Sequence, residues 1–152
     1  SIFTSSDGGT SWDNRTSASE TTVELNEVIY ANRTFVAFGY SGTILTSSNG
    51  TGWTARTSGT TNKVNSGTFG NNIFVTVGDN GTILTSSHPY AMTWWTAKTL
   101  GTTDKLNGIA YGNSTYVTVG NNGTIFSSTD TNTWTSRTSG TSENFRRVFY
   151  KE

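Results

Sequence analysis

One short segment recurs four times along the chain, and its spacing constrains the fold more than any other feature. The copies are residues 1–6 (SIFTSS), 42–48 (GTILTSS), 81–87 (GTILTSS) and 123–128 (GTIFSS). Their isoleucines, Ile2, Ile44, Ile83 and Ile125, lie 42, 39 and 42 residues apart. A period of this length indicates one supersecondary unit per repeat, so we predict a row of similar units that bury their faces against one another.

Each unit contains the pattern of four short strands. A tryptophan in a threonine-rich run follows every copy, and in three units two β-branched and aromatic segments precede it, as at residues 106–111 and 115–120. Glycine and asparagine at residues 39–42, 78–81 and 120–123 can take the positive φ of tight hairpin turns. The sequence therefore predicts an all-β fold, a β-propeller with four-stranded antiparallel blades of about 40 residues, comprising three whole units and a broken fourth.

The predicted blade boundaries leave one blade incomplete. Whole blades are expected at residues 24–61, 62–104 and 105–143, within a single propeller domain or part of one. Residues 1–17 supply a third and fourth strand, and residues 144–152 supply a first strand, so the broken blade has no second strand. Three explanations of the incomplete blade remain. Two chains complete a ring of about eight blades, which we favour, or the chain is a fragment of a longer propeller, or it is a four-bladed monomer with a defective blade.

Composition excludes several classes of partner. Ten basic and ten acidic side chains are scattered along the chain, so no charged surface favours nucleic acid or anionic lipid. With no cysteine and a single histidine, the chain offers no disulfide, no thiolate nucleophile and no metal site, and we expect no cofactor. No apolar run is long enough to span a membrane, so we expect no membrane insertion.

Residues 5–12 (SSDGGTSW) carry a turn motif. They match the pattern Ser/Thr-x-Asp-x-Gly-x-Ser/Thr-Trp through Ser5, Asp7, Gly9 and Trp12. The unit thus resembles the BNR/Asp-box repeat family, which has this turn between the third and fourth strands of sialidase-like, sortilin-like and photosystem II assembly factor-like propellers. The resemblance implies that the aspartate ties down the turn while the tryptophan packs between sheets, a structural role. The same role is implied for the tryptophans of the other units, Trp53, Trp95 and Trp134.

The turns of the other three units depart from this motif. Asn49 replaces the aspartate in residues 47–53, residues 86–95 are lengthened, and residues 127–134 lack the glycine. Residues 88–94 are the one irregular insertion and hold the only histidine, proline and methionine of the chain. Because loops of this kind often acquire function, the insertion is a candidate binding loop, although loop insertions are commonly neutral.

The residues predicted to bind a ligand lie at the tips of the hairpins between second and third strands: Tyr40, Asp79, Asn80, Asn121 and Asn122. In propellers these tips share a face with the loops that join successive blades. Amide and carboxylate groups beside an aromatic ring suit the hydroxyls and the apolar face of a sugar. The same residue types are also what tight turns need, so ligand contact and turn chemistry both stay open.

Two further sets of polar residues recur at equivalent positions. The first, one residue into each first strand, comprises Asn26, Asn65, Asn107 and Arg146. These residues are predicted to line the central channel, where they form a small polar site with Glu27 and Arg147 or bond to water and to one another. The second set, three positions after each repeat tryptophan, comprises Arg15, Arg56, Lys98 and Arg137. These cations form either a ring of anion sites or the solvated charges of edge strands.

The residues favour a binding module over an enzyme. Glycoside hydrolysis needs two carboxyl groups flanking the scissile bond, and here the acids are scattered over different loops without a repeated pairing. A sialidase-like site would also need an arginine triad and a tyrosine nucleophile. We therefore expect no catalytic residues and a lectin-like or protein-binding propeller whose partner is a glycan, a protein or a second copy of itself. Two alternatives remain: a non-catalytic fragment of a glycoside hydrolase propeller, and a structural or engineered repeat assembly, such as an array on a bacterial surface.

Overall fold

The computed structural model describes residues 1–15, 21–88 and 95–151, and within these ranges the regular elements are β-strands and three short 3-10 turns. The strands are β1 (Phe3–Thr4), β2 (Asp13–Asn14), β3 (Leu25–Ala31), β4 (Thr34–Gly39), β5 (Ile44–Ser47), β6 (Thr54–Arg56), β7 (Val64–Gly70), β8 (Ile73–Gly78), β9 (Thr82–Ser86), β10 (Thr96–Thr99), β11 (Leu106–Gly112), β12 (Thr115–Gly120), β13 (Ile125–Ser128) and β14 (Thr135–Ser136). The 3-10 turns are Tyr40–Gly42, Asp79–Gly81 and Asn121–Gly123.

Successive strands pair antiparallel in sequence order. Strands β3 to β6 form blade 1, β7 to β10 form blade 2 and β11 to β14 form blade 3, each a four-stranded sheet. Strands β1 and β2 form a two-stranded sheet that we call the N-terminal hairpin. The prediction of an all-β propeller with three whole blades and a broken fourth is confirmed.

The three whole blades share one strand register. In each, the aromatic residue near the start of the second strand lies opposite the serine that ends the third strand. These pairs are Phe35 with Ser47, Phe74 with Ser86 and Tyr116 with Ser128. The turns between second and third strands place a non-glycine residue in the left-handed region, with φ of 53° at Ser41, 54° at Asn80 and 55° at Asn122. Asparagine tolerates this conformation, which explains its recurrence at the tips.

The hydrophobic core lies between the blades, because each sheet covers its faces with its neighbours. Val36, Phe38 and Ile44 of blade 1 cluster with Phe74 and Leu84 of blade 2, all of them at most 1% exposed. A second cluster joins blades 2 and 3 and comprises Val75, Val77, Ile83, Leu106, Ile109 and Tyr116. The interfaces between blades therefore supply most of the buried apolar surface of the described chain.

Two aromatic residues, Tyr111 of β11 and Tyr150 of the C-terminal segment, pack against a glycine in the first strand of the preceding blade. A Cβ added at Gly70 would lie 2.2 Å from Cγ of Tyr111, and one added at Gly112 would lie 2.0 Å from Cγ of Tyr150. Any side chain at either glycine would occupy space that the aromatic ring now fills. The two glycines therefore set the close approach of neighbouring blades.

Residues 144–151 follow blade 3 without entering a strand. The amide of Phe145 donates to the carbonyl of Gly120 at 2.9 Å, and a Cβ at Gly108 would lie 3.0 Å from Cα of Arg147. The segment thus runs beside blade 3, where the sequence predicts a first strand. It lacks ladder hydrogen bonds because no second strand lies beside it in the described part of the chain.

Candidate functional site

Asparagines of the first strands connect each blade to the next. The Nδ2 group of Asn26 donates to the carbonyl of Val64 at 2.5 Å, that of Asn65 to Leu106 at 2.9 Å, and that of Asn107 to Phe145 at 2.7 Å. We call these three bonds the amide ladder. The sequence left two interpretations of these side chains open, a small polar site with Glu27 and Arg147 or bonds to water and to one another, whereas the structure gives them backbone acceptors in the next blade or, for Asn107, in the segment that follows blade 3.

Two of the predicted ligand residues support the amide ladder. Asp79 Oδ1 accepts a second hydrogen bond from Asn65 at 2.8 Å, and Asn121 Oδ1 accepts one from Asn107 at 2.9 Å. The third equivalent tip residue, Tyr40, is 40% exposed, and the ammonium group of Lys63 lies 3.8 Å from its ring centroid, in a cation–π contact. Tyr40, Asn80 and Asn122 are thus the exposed tip residues, and Tyr40 is the aromatic one among them.

The other two predicted ligand residues contact the loops that join the blades. Asn80 Nδ2 donates to Asn62 Oδ1 at 3.1 Å, and Asn122 Nδ2 donates to Asp104 Oδ1 at 2.7 Å. Asp104 also accepts a bond from the Thr124 hydroxyl at 2.6 Å. The Thr124 bond, then the Asn122 bond, hold the pKa of Asp104 below its usual range. All five tip residues thus have partners within the described fold, four of them through hydrogen bonds and Tyr40 through Lys63.

A pocket of about 380 Å³ opens between the first strands. Amide side chains and four cations line it: Asn26, Asn65, Asn107, Asn121, Asn144, Lys63, Lys105, Arg146 and Arg147. We call it the basic pocket. Lys105 lies 3.8 Å from Asp79 Oδ1, and both side chains are more than a third exposed, so this ion pair is screened by water. Within the described residues, the side chains of Arg146 and Arg147 form no ion pair or hydrogen bond.

Sequence reasoning found part of this pocket and missed the rest. It named Arg146 and Arg147 as a possible polar site, but not Lys63 or Lys105. These lysines lie immediately before the first strands of blades 2 and 3, at equivalent positions of the repeat. That recurrence was a signal available in the sequence.

The turn at residues 5–12 is built around Asp7. Its carboxylate accepts bonds from the Ser11 hydroxyl at 2.6 Å, the Ser11 amide at 2.9 Å and the Ser5 hydroxyl at 2.7 Å. These bonds, led by the Ser11 hydroxyl, lower the pKa of Asp7 far below its usual range. The Gly9 amide donates to Ser5 Oγ at 2.7 Å, and the Trp12 indole donates to the Gly9 carbonyl at 3.1 Å.

The divergent turns are also closed by hydrogen bonds to one side chain, although the donor positions differ. Asn49 Oδ1 accepts from the Thr51 amide at 3.0 Å and the Gly52 amide at 3.2 Å. Asp130 Oδ1 accepts from the amides of Asn132 and Thr133, each at 2.8 Å. The bond from Thr133, followed by that from Asn132, lowers the pKa of Asp130. The turns of blades 1 and 3 thus share one hydrogen-bond pattern, with an amide oxygen in one and a carboxylate in the other, and both are one residue shorter than the turn at residues 5–12.

The repeat tryptophans differ in burial. Trp53 packs near Phe35 with ring centroids 6.3 Å apart, and Trp134 packs near Tyr116 at 6.4 Å. Trp95 is 5% exposed, whereas Trp12 is 61% exposed. Burial of the repeat tryptophan therefore follows the presence of a second strand in the same blade.

Residues 89–94, most of the irregular insertion, lie outside the described residues.

The recurring cations on the fourth strands have structural partners. The Nε groups of three arginines donate to hydroxyl groups of the third strand: Arg15 to Thr4 at 3.1 Å, Arg56 to Thr46 at 2.7 Å and Arg137 to Ser127 at 2.8 Å. The ammonium group of Lys98 donates to Asn132 Oδ1. These contacts join strands within a blade or neighbouring blades, so they favour the structural interpretation over a ring of anion sites.

The described residues contain no group of three or more histidine, cysteine, aspartate or glutamate side chains placed to hold a metal ion. Among the same residues, no helix has the length and apolar character needed to cross a bilayer.

Comparisons with known proteins agree with the fold. No protein-family model and no curated protein matches the chain. A solved structure described as "YCF48 bound to D1 peptide" is similar, with 21% sequence identity and a TM-score of 0.65. The match covers 78% of this chain and 40% of that one, so this chain spans well under half of the similar structure. At this identity the likeness shows the fold alone, a β-propeller built from repeated blades.

Proposed function

We propose that this chain is a non-catalytic propeller module that binds a protein partner through the basic pocket. The observation that carries the proposal is the charge of the pocket: Lys63, Lys105, Arg146 and Arg147 converge there, and only Asp79 lies opposite them as an ion-pair partner in the described chain. Carboxylates are the groups of a protein that pair with such cations, and arginine binds them with two parallel hydrogen bonds. A segment with acidic side chains or a free C-terminus suits this pocket.

Rigidity of the surrounding strands supports this proposal. The amide ladder ties the first strands together next to the cations, so the pocket loses little conformational freedom when a ligand binds. The similar structure is described as bound to a peptide, and that description adds a peptide-binding precedent for the fold. The precedent does not identify the partner of this chain.

The state of the acidic residues supports a role without catalysis. Asp7, Asp104 and Asp130 each have a lowered pKa because hydroxyl or amide groups donate to their carboxylates. A glycoside hydrolase needs a carboxyl group with a raised pKa as its general acid, paired with a second carboxylate. These three residues act instead as ionised acceptors within turns. We therefore assign no catalytic residues and interpret the chain as a recognition module.

The test uses two labelled peptides and two charge-reversal variants. A Gly/Ser peptide rich in glutamate should bind the chain, with an affinity that falls as salt rises, and the same peptide with glutamine should not. Combining Arg146→Glu with Arg147→Glu should raise the Kd about tenfold or more. Lys151→Glu changes an exposed charge that does not line the pocket and should have little effect. Equal binding of both peptides would contradict the proposal.

A glycan remains the second candidate ligand, and Tyr40 is the observation that favours it. Its ring is 40% exposed on the face that carries Asp79, Asn80, Asn121 and Asn122, and aromatic rings of this kind stack on the apolar face of sugars. A glycan array would separate the two candidates. Binding of a sugar that is lost in Tyr40→Ala and kept in the double arginine variant would favour the lectin-like function.

We also propose that two copies close the ring, with residues 144–152 serving as the first strand of the broken blade. Both ends of the blade stack expose large apolar side chains: Val28 and Tyr30 are 54% and 60% exposed at one end, and Phe149 and Tyr150 are 82% and 51% exposed at the other. Head-to-tail contact of two copies would cover both ends. Light scattering behind size exclusion should give the mass of a dimer, and the mass of one chain would contradict this closure.

A further inference from the structure

A second pocket adjoins the basic pocket along the first strands. It has a volume of about 300 Å³, and we call it the inner pocket. Residues that line both pockets are Asn26, Asn65, Asn107 and Arg147. Glycines and an apolar side chain supply part of the remaining lining, among them Gly67, Gly108 and Ile109. Because the two pockets share these residues, one extended ligand has access to both.

The inner pocket differs from the basic pocket in charge. Lysine and arginine side chains line the basic pocket, whereas Glu27 is the acidic residue among the described residues that line the inner pocket. Equivalent positions of the repeat hold Ser66 in blade 2, Gly108 in blade 3 and Arg147 in the segment after blade 3. The blades therefore form without a carboxylate at this position, so the structure of the repeat does not explain why blade 1 has one.

The Glu27 carboxylate keeps the capacity to bind a ligand. The Gly67 amide donates to its Oε2 atom at 3.0 Å. Within the described part of the chain, its Oε1 atom accepts no hydrogen bond and neither oxygen forms an ion pair. An ionised carboxylate has about four acceptor sites. Glu27 can therefore bind a cationic group of a ligand while the bond to Gly67 stays in place.

The repeat gives the distance between the lysines of the basic pocket and Glu27. Lys63 precedes Ser66, the counterpart of Glu27 in blade 2, by three residues of the chain. An extended strand rises about 3.3 Å per residue, so these two levels lie about 10 Å apart along the strands. An extended peptide covers this distance in about three residues. A peptide that pairs with both regions must therefore carry its two opposite charges about three residues apart.

We propose that Glu27 makes the chain selective for a partner segment of mixed charge, in which a lysine or arginine lies about three residues from an acidic residue. This inference rests on the proposed function, because the acid of the partner pairs with Arg147 and the other cations of the basic pocket. The cationic group of the partner then lies against Glu27 in the inner pocket. A purely acidic segment lacks this second ion pair and is repelled by the Glu27 carboxylate.

Two capped, labelled Gly/Ser peptides with a central pair of glutamates test this selection. One has glutamine three residues before and three residues after the pair, and the other has lysine at both places, so that either orientation is served. Both should bind the full chain, and the lysine peptide should bind about fivefold more tightly despite its lower negative charge. If neither peptide binds, the proposed function and this inference are both wrong. If both bind with equal affinity, only the selection by Glu27 is wrong.

Two variants assign the selection to one carboxylate. Glu27→Gln removes the charge but keeps an oxygen that can accept the Gly67 amide, so the fold should be retained. In this variant the fivefold advantage of the lysine peptide should disappear, while the glutamine peptide should bind at least as tightly as before. Glu24→Gln is the matched control, because Glu24 is an exposed acid that lines neither pocket, and it should keep the advantage. An advantage that survives Glu27→Gln would overturn the proposal.

Discussion

The N-terminal hairpin and the whole blades contain the same pair of strands in different surroundings. The hairpin and blades 1 and 3 place an arginine side chain on a third-strand hydroxyl, and they close the turn with hydrogen bonds to the side chain of one aspartate or asparagine. Exposure differs, since Phe3 is 52% exposed whereas its counterparts Leu45 and Leu84 are fully buried. Hydrogen bonding in this unit is therefore local, while burial depends on the second strand and the neighbouring blade.

Removing an aromatic side chain should give the largest contrast between the two regions. Phe74→Ala in blade 2 empties a site that is 1% exposed and should lower the free energy of unfolding by about 3 to 5 kcal/mol. Phe3→Ala in the hairpin removes a half-exposed ring and should cost about 0.5 kcal/mol. Urea unfolding measures both. Equal losses would show that the hairpin is covered in solution.

Adding a methyl group should give an intermediate effect. Gly70→Ala directs its Cβ into the ring of Tyr111 at the interface of blades 2 and 3, and overpacking of this kind costs about 1 to 3 kcal/mol. Gly52→Ala is the matched control, because a Cβ there meets no atom within 4 Å and should change stability by about 0.5 kcal/mol at most. Thermal unfolding of both variants measures the difference. If Gly70→Ala leaves the stability unchanged, neighbouring blades can move apart with little loss of folding free energy.

Acidification should give the smallest effect. It acts on the turn between the third and fourth strands, which both the N-terminal hairpin and blade 1 contain. The folded pKa of Asp7 lies below the usual value of about 3.9, so its contribution to stability is complete above that pH and is lost as the pH falls through the folded pKa. In blade 1, Asn49 accepts the equivalent bonds and does not titrate in acid. NMR should show the Ser11 amide shifting at acidic pH and the Thr51 amide unchanged. Matching shifts would contradict this assignment.

The sequence predicted the fold because the repeat itself carries the needed information. Copies of one strand segment at a period near 40 residues, with glycine and asparagine at each hairpin tip, define blades before any contact is known. The positive φ of Asn80 and Asn122 follows from the same chemistry. Local patterns of this kind involve residues close in sequence, so they can be recognised in one amino-acid sequence.

The candidate site was harder to predict because its contacts join different blades. Asn65 bonds to Leu106, 41 residues further along the chain, and no local pattern shows which acceptor its side chain finds. Lys63 and Arg146 come from different blades, and their shared pocket depends on how the sheets stack. The sequence indicated that Asp79 and Asn121 occupy equivalent hairpin tips, but their roles as acceptors for Asn65 and Asn107 depend on where the first strands lie.

The amide ladder gives the blade stack a direction. Each of the three ladder asparagines donates to the blade or segment that follows its own blade in the chain, so one side of a blade supplies the donor and the other side supplies the carbonyl. A duplicated gene segment encoding one blade would bring both halves of this interface with it. Descendants of such a chain can therefore gain or lose blades without evolving a new contact, provided that every unit is inserted in the same orientation.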